Sequence, residues 1–577
     1  VKAGRGPLLG VWLAVCFHGP LVAAGLYRYG WDATTHLFFA DHYRRSWFGL
    51  WEPRWFGGFS VSSYPPLVHQ LLALLSLPFG YDGAFAVLLL STLVVFPVAV
   101  WRFAQLFAPP AAASGAAVVA VFLPGMALAA YLYGQLPTLV ALTLTLFLVF
   151  ECTRFVERGG GSGLWLIAAL AGTAFAAHHA TPLLFLPPAL LAGLSTVLLG
   201  VDGSVRAARL RRAVMTVAAA ALAGTVALVP FWLWADGGIH QAFIPHNSRA
   251  NFLVDFGAQA VYLWGVYGVL PALALFGLRL RPDRRTAAVA ILAGALGILG
   301  LGGTTPIPSL VFGPQWQWLT YDRFALWGAV ALLPLAGLAV DRLVSARMAV
   351  IRALGIAALG GLLAYSSANA VLALLGPALP YQRDLRPIAD FMNDGRAQWR
   401  YQTFGVGNDA VRLGIMTPAA TIDGAYYSAR RVPELTTSGI GMLDGALWWD
   451  PSGSVLRRVL TRANAYSIRW AFVVDPHYDG YLLQAGFAPR EALAGGIAVW
   501  ENPTAPPVRV DARGLAAPDF PGILWGTLPL AFAVLTLGFA LVRRWTGLPG
   551  LASHEPRAPP VSASPAASLA SPRGYGM

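Results

Sequence analysis

The chain has 577 residues, of which 57% are hydrophobic and 12% charged, with a mean hydropathy of +0.60. Soluble domains carry about 25% charged residues, so the composition excludes an ordinary soluble protein and defines an integral membrane one. The 40 basic and 27 acidic residues leave a net charge of +13, which in so apolar a chain reports loop topology rather than a nucleic-acid surface. Of the two cysteines, Cys16 sits inside the first apolar run and Cys152 near the end of another. Neither is placed for a disulfide, and no metal-type Cys/His spacing occurs.

In chain order, the first run (7–26) has a charged start without a clear small-x-small cleavage site, and reads as a retained signal-anchor span. Further apolar runs fall near 83–106, 110–131, 135–152, 162–178, 181–199, 212–235, 257–278, 286–303, 323–341, 350–376 and 521–542. Long apolar runs of this kind predict about twelve membrane-spanning helices, not a barrel. Residues 66–80, bracketed by "YPP" and "GYDG", are too short to cross and predict a helix lying on the outer surface. With that assignment Lys2, Arg5, Arg102, Arg154, Arg158, the run 206–212, "RLRPDRR" (279–285), Arg342, Arg347, Arg352, Arg543 and Arg544 fall on one side. That side is cytoplasmic by the positive-inside rule, which puts both termini inside and the loop at 27–82 outside.

Residues 380–518 mix short strand-like runs ("YQTFGV", "WAFVVD", "IAVWENP") with helix-like ones, and predict a small extracytoplasmic α/β domain. The expected organisation is an all-α polytopic core over 1–379, this domain over 380–518, and a last span at 519–545. A Pro/Ala/Ser-rich tail (546–577) is expected to be disordered in the cytoplasm.

The first outer loop holds the densest chemistry: "GWDATTHLFFADHY" (30–43), then "YRRSWFGLWEPRWFGG" (43–58) and "SSYPP" (62–66). A carboxylate in mid-bilayer costs about 2.5–3.5 kcal/mol; Asp32 avoids this at the interface. If 31–48 is helical, His36 stands one turn from Asp32 on the same face, and Asp41 points the other way. Asp32 and His36 have metal-ligand spacing, but two ligands do not make a site; Asp32 also suits a helix cap. Arg54 is either a phosphate contact or a snorkelling anchor. Arg323, in "YDRF", is either a phosphate contact or simply neutralised by Asp322.

This loop resembles the first extracytoplasmic loop of the GT-C glycosyltransferases. It is most similar to the bacterial and archaeal branch named 6-pyruvoyl-tetrahydropterin synthase-related membrane proteins, a name not read as an activity. The residues that carry the likeness are Asp32, His36, Pro53-Arg54-Trp55, Gly57-Gly58 and Tyr64-Pro65, with weaker pieces in "YGQLPTL" (133–139), "YDRF" (321–324) and the ending "WAFVV…GGIAVWENP". The resemblance implies a GT-C-like fold and an enzyme that takes a sugar, hexose or pentose, from a polyprenyl-phosphate carrier. The acceptor would be a glycan, lipid or protein outside the cytoplasm. Asp32 would be the catalytic base, and His36, Arg54 and Arg323 the donor-phosphate contacts. No double-acid motif follows Asp32, so Asp41 or Glu52 as a second acid, and a divalent cation (magnesium or manganese), stay open.

Tyr64, Gln135, His178, His179 and His246 are further candidates for the cavity wall, with helix-end packing or loop solvation as the bland alternative. His240 shares the loop of His246. "DPHYDGY" (475–481) and "DGAYYSARR" (423–431) are suited to hold an acceptor glycan, but turn-forming Asp and packing Tyr explain them equally well. Two other classes compete: a transporter or flippase for lipid-linked glycans, and a non-catalytic scaffold of envelope assembly. Spans nearly free of charge, with acids gathered at one edge, favour surface chemistry over passage. The expected location is the cell membrane, with membrane lipids and no nucleic acid as partners.

Overall fold

The computed structural model describes residues 6–160, 163–234, 241–375, 383–509, 517 and 519–546. Lys2, Arg5, His240 and the tail from 547 lie outside the described residues.

The chain is mainly helical. Helices α1 (Gly6–Ala23), α2 (Ala33–Arg45), α3 (Leu67–Ala104), α4 (Leu136–Arg158), α5 (Ala180–Leu198), α6 (Gly203–Trp234), α7 (Asp322–Val344), α8 (Ala349–Leu375) and α9 (Phe520–Thr546) form its frame. Of these, all but α2 are long and apolar enough to cross a bilayer, eight in all among the described residues. Two bent pairs, Pro110–Val121 with Pro124–Leu132 and Phe256–Tyr267 with Leu270–Leu280, raise the count to ten. Among the described residues, eight to ten of the about twelve expected spans are thus met by helices long and apolar enough to cross. The runs at 162–178 and 286–303 form helices of 15 and 17 residues, below the roughly 20 needed. The bends have local causes: Pro124 opens the second half of one pair, and Gly268, at φ +50, separates the halves of the other.

Within α3, Gly80 has non-helical angles (φ 67, ψ 173), so 67–79 and 81–104 are distinct helical stretches. The expected break at "GYDG" thus falls at Gly80. The helices pack through small residues, which let backbones approach closely. A Cβ on Gly337 of α7 would come within 2.3 Å of the Ala112 carbonyl, and one on Gly277 within 1.9 Å of the Leu335 carbonyl. Cys16 and Cys152 are free thiols.

Residues 383–509 build a four-stranded mixed sheet, ordered β3 (Arg400–Phe404), β4 (Ile468–Val473), β6 (Ile497–Glu501), β5 (Ala488–Leu493). β3 and β4 run parallel; the other pairs are antiparallel. Side-chain alternation sends Ala471, Val473 and Trp500 into one core and Trp470, Phe472, Ile497 and Val499 into the other, the period of two that a sheet buried on both faces requires. The sheet unit sits on one end of the helical body. Asn408 donates to the Trp31 carbonyl (2.7 Å), Tyr426 to the Ser63 carbonyl (2.8 Å) and the Thr421 amide to the Arg54 carbonyl (2.8 Å).

The basic loops lie at the other end. α4 starts beside Gln135 and ends at Arg158, and α7 runs from Asp322 to Val344 with Arg342 in its last turn. At 1.5 Å per residue, 23 residues separate the two ends of each helix by about 34 Å. At the far end Arg212 donates to the carbonyls of Val156 and Glu157 (2.9 and 3.1 Å).

Candidate active site

The turn 30–33 is clamped to the segment 128–135. Trp31 and Asp32 donate their amides to the carbonyls of Leu132 and Tyr133, each at 2.9 Å. Contact this close works because Gly134 is at φ +70, where a Cβ would stand 2.7 Å from the Ala33 nitrogen. Gly134→Ala combines that clash with a left-handed backbone, a strain of about 1–3 kcal/mol. It is expected to lower the unfolding midpoint of the detergent-solubilised protein and to weaken whatever activity Asp32 serves.

Asp32 occupies the N-cap of α2, yet its side chain makes no capping hydrogen bond. It is half-buried and forms no ion pair or side-chain hydrogen bond among the described residues. Burial pushes its carboxyl up to about 6, partly opposed by Arg323, with Asp322 adding to the rise. The helix-cap reading therefore fails. The carboxylate is free.

Arg323 stands in the first turn of α7. Gln135 takes Asp322 instead, its Nε2 donating to Oδ2 at 2.8 Å. Arg323 forms no ion pair among the described residues, and its buried Nε has no hydrogen-bond partner. The reading in which Asp322 neutralises it fails too. Its charge acts on Asp32, His36, Tyr64, His178, His179 and His246, so all of these lie within electrostatic reach of one guanidinium.

A wall of rings runs beside them. His36 Nδ1 lies 3.1 Å from His69 Nε2, while the buried His36 Nε2 has no partner. Tyr64 stands edge-on to His69 (5.0 Å) and 6.3 Å from His178. His178 Nδ1 lies 2.7 Å from Thr181 Oγ1, and His179 keeps a buried Nδ1 without a partner. Burial, with Arg323 nearby, lowers His36 to about 3, so its ring is neutral near pH 7. Opposite, His246 caps Asn247–Arg249, with Nδ1 2.8 Å from Ser248 Oγ. The Ser248 hydroxyl in turn accepts from the Tyr321 amide at 2.9 Å, tying this loop to the start of α7.

Arg54, Asp41 and Glu52 belong elsewhere. The hairpin β1 (Trp51–Glu52) and β2 (Phe59–Ser60) turns through Phe56 (φ 55), Gly57 and Gly58, and a Cβ on Gly58 would come within 2.3 Å of the Trp51 ring. This turn drives Arg54 inward, where it is 4% exposed. It pairs with Asp41 and with Glu52 (2.6 Å), donates to the Gly414 carbonyl, and lies over the Phe38 ring at 4.5 Å. Glu52 also meets His42 Nδ1 at 2.9 Å, and Asp41 accepts from Tyr81 at 2.5 Å. Burial would raise the Glu52 carboxyl, but Arg54 and His42 hold it well below the usual range. Arg54 is thus not available as a phosphate contact, nor Asp41 or Glu52 as a second acid. The three form a buried lock between the first loop and the sheet unit.

Several members of the site escape a reading of the loop alone. His69 pairs with His36, and Tyr426 and Tyr427 approach from the sheet unit: Tyr426 stands 5.3 Å from Tyr64, and the charge of Asp32 acts on Tyr427. The signal for His69 was its place beside Gln70 in an otherwise apolar helix start. No group of three or more His, Cys, Asp or Glu residues among those described is arranged to hold a metal. Among the described residues, Asp32 and His36 gather no third ligand of these types.

This architecture has the fold seen in a solved membrane-protein structure. The chain is similar to ArnT from Cupriavidus metallidurans bound to undecaprenyl phosphate, with 11% identity and a TM-score of 0.50 over 86% of this chain and all of that one. The oligosaccharyltransferase of Archaeoglobus fulgidus in its apo form matches with 11% identity and a TM-score of 0.48, over 84% of this chain and 71% of that one. No family model matches the sequence, and no curated protein matches it.

Proposed function

We propose that this chain is a glycosyltransferase that moves a sugar from a polyprenyl-phosphate carrier to a hydroxyl-bearing acceptor on the extracytoplasmic face of the cell membrane. One observation carries this reading: a half-buried carboxylate, Asp32, lies in the field of a guanidinium, Arg323, and neither forms an ion pair among the described residues. In the transfer, the acceptor oxygen attacks the anomeric carbon and gives its proton to the Asp32 carboxylate. The bond from that carbon to the carrier phosphate breaks, and its electron pair leaves on the phosphate oxygen. Arg323 binds the charge that accumulates there, and its planar fork suits two phosphate oxygens. The amides of the first turn of α7 add partial positive charge.

The extracytoplasmic assignment rests on the arginine bias, since the basic loops collect at the end of α4 and α7 remote from Asp32. The fold shared with ArnT, which is bound to undecaprenyl phosphate in its structure, supports a polyprenyl-phosphate carrier. The sheet unit over 380–518 would present the acceptor.

The test is Arg323→Ala with Arg323→Lys beside it. Losing a cation aimed at transition-state charge costs about 10²–10³-fold in kcat, and lysine should restore only part because it lacks the bidentate fork. Transfer from a synthetic polyprenyl-phosphate sugar is the assay. Unchanged kcat in the alanine variant would remove Arg323 from the mechanism.

A further inference from the structure

The motif "DPHYDGY" is not used by the transfer site, yet the structure gives it a place. Asp475, His477 and Tyr481 line a surface depression of about 460 Å³ together with Leu447, Trp448 and Pro451. The volume falls in the range of about 300–1,000 Å³ typical of small-ligand sites.

Trp448 is 73% exposed while its neighbour Trp449 packs against the sheet core, with the two rings edge to face at 4.6 Å. A single exposed apolar side chain is ordinary. Here it lines a concavity together with polar side chains. The floor is held rigidly: the Tyr478 hydroxyl donates to the Asp444 carbonyl and accepts from the Leu447 amide, each at 3.2 Å. The Asp450 carboxylate accepts from Ser454 Oγ (2.8 Å) and the Val455 amide (3.0 Å), fixing the loop under Pro451. Gly453 is required there, because a Cβ would come within 2.5 Å of the Tyr481 hydroxyl oxygen.

The polar side chains have defined chemistry. Asp475 Oδ1 takes the His477 amide (3.1 Å) and ring Nδ1 (2.6 Å). That contact leaves Asp475 Oδ2, His477 Nε2 and the Tyr481 hydroxyl facing solvent-accessible space as acceptor or donor groups. A broad aromatic side chain in one depression with a carboxylate, an imidazole and a phenol suits a ring with one apolar C–H face and a rim of hydroxyls.

We propose that this depression is a second carbohydrate-binding site, holding a neutral pyranose of a glycan chain with its C–H face on Trp448 and its hydroxyls on Asp475, His477 and Tyr481. That the bound glycan is the acceptor rests on the transferase reading; the binding itself does not.

The test uses the full chain in lipid nanodiscs and saturation-transfer NMR with cellohexaose, chitohexaose and α-1,6-mannohexaose as probes. At least one should show saturable transfer to its ring protons. Trp448→Ala should weaken that binding at least tenfold, and His477→Ala, at a well exposed position, should weaken it measurably while the protein keeps its unfolding midpoint. Asp32→Asn should bind as the wild type does, which separates this site from the transfer chemistry. If the bound oligomer also serves as acceptor, Trp448→Ala should raise its KM and leave kcat unchanged. Absence of saturable transfer with all three probes, or binding unaffected by Trp448→Ala, would overturn the proposal. So would a Trp448→Ala variant whose only defect is loss of nanodisc stability, the mark of a bilayer anchor.

Discussion

Asp32→Asn is expected to lower sugar transfer by about 10²–10⁴-fold, the usual contribution of a positioned general base, while leaving insertion and thermal stability unchanged. Among the described residues the side chain makes no capping bond and no ion pair, so the amide replaces no such contact there. The wild-type pH profile gives an independent check. The base acts when deprotonated, and burial lifts its carboxyl to about 6 from an ordinary 3.8. The rate should therefore climb as pH passes about 6 instead of being level from pH 5 upward. Because Arg323 opposes that rise, Arg323→Ala should move the ascending limb to still higher pH. A profile flat between pH 5 and 7.5 would remove Asp32 as the base.

Arg54→Met should act on stability, not on chemistry. Its partners Asp41 and Glu52 are both almost fully buried, and breaking a buried ion pair by removing one member costs about 3–5 kcal/mol. The Gly414 carbonyl would lose its donor as well. Arg323 offers the contrasting case: with no ion pair to lose, its alanine variant should keep the wild-type unfolding midpoint and lose transfer. Chemical denaturation of both variants in the same detergent separates the two roles. Equal stability of Arg54→Met and wild type would mean that the lock carries no weight.

The difference between these arginines shows what the sequence made legible. Both were outward-facing cations near aromatic residues, and their charge was plain. Their partners were not. Asp41 and Glu52 reach Arg54 because the hairpin reverses at Phe56-Gly57-Gly58, while Asp322 misses Arg323 because Gln135, 187 residues away along the chain, holds it. Such pairings are set by tertiary contact and leave no trace in local spacing. Asp32 and His36 were legible because both lie on one helical turn. His69 was not, since it meets His36 only when the helix beginning at Leu67 folds back against α2.

At the level of the fold, the apolar runs located every long helix, because a bilayer imposes a length that composition reveals. The count of spans was less accessible. A proline or a left-handed glycine within an apolar run bends it without changing its hydropathy, as at Pro124 and Gly268. The strand-like runs "YQTFGV" (401–406), "WAFVVD" (470–475) and "IAVWENP" (497–503) overlap the strands β3, β4 and β6, but β5 was missed. Its residues Ala488–Leu493 are mostly exposed and lie at the sheet edge, where no buried face imposes an alternating pattern.

A density map of the protein with undecaprenyl phosphate bound would test the active-site account most directly. The phosphate should lie within hydrogen-bonding distance of the Arg323 guanidinium, with Asp32 facing the side from which an acceptor hydroxyl arrives. A head group seated at the Arg158–Arg212 end of the helices, or one contacting neither Arg323 nor the surroundings of Asp32, would contradict it.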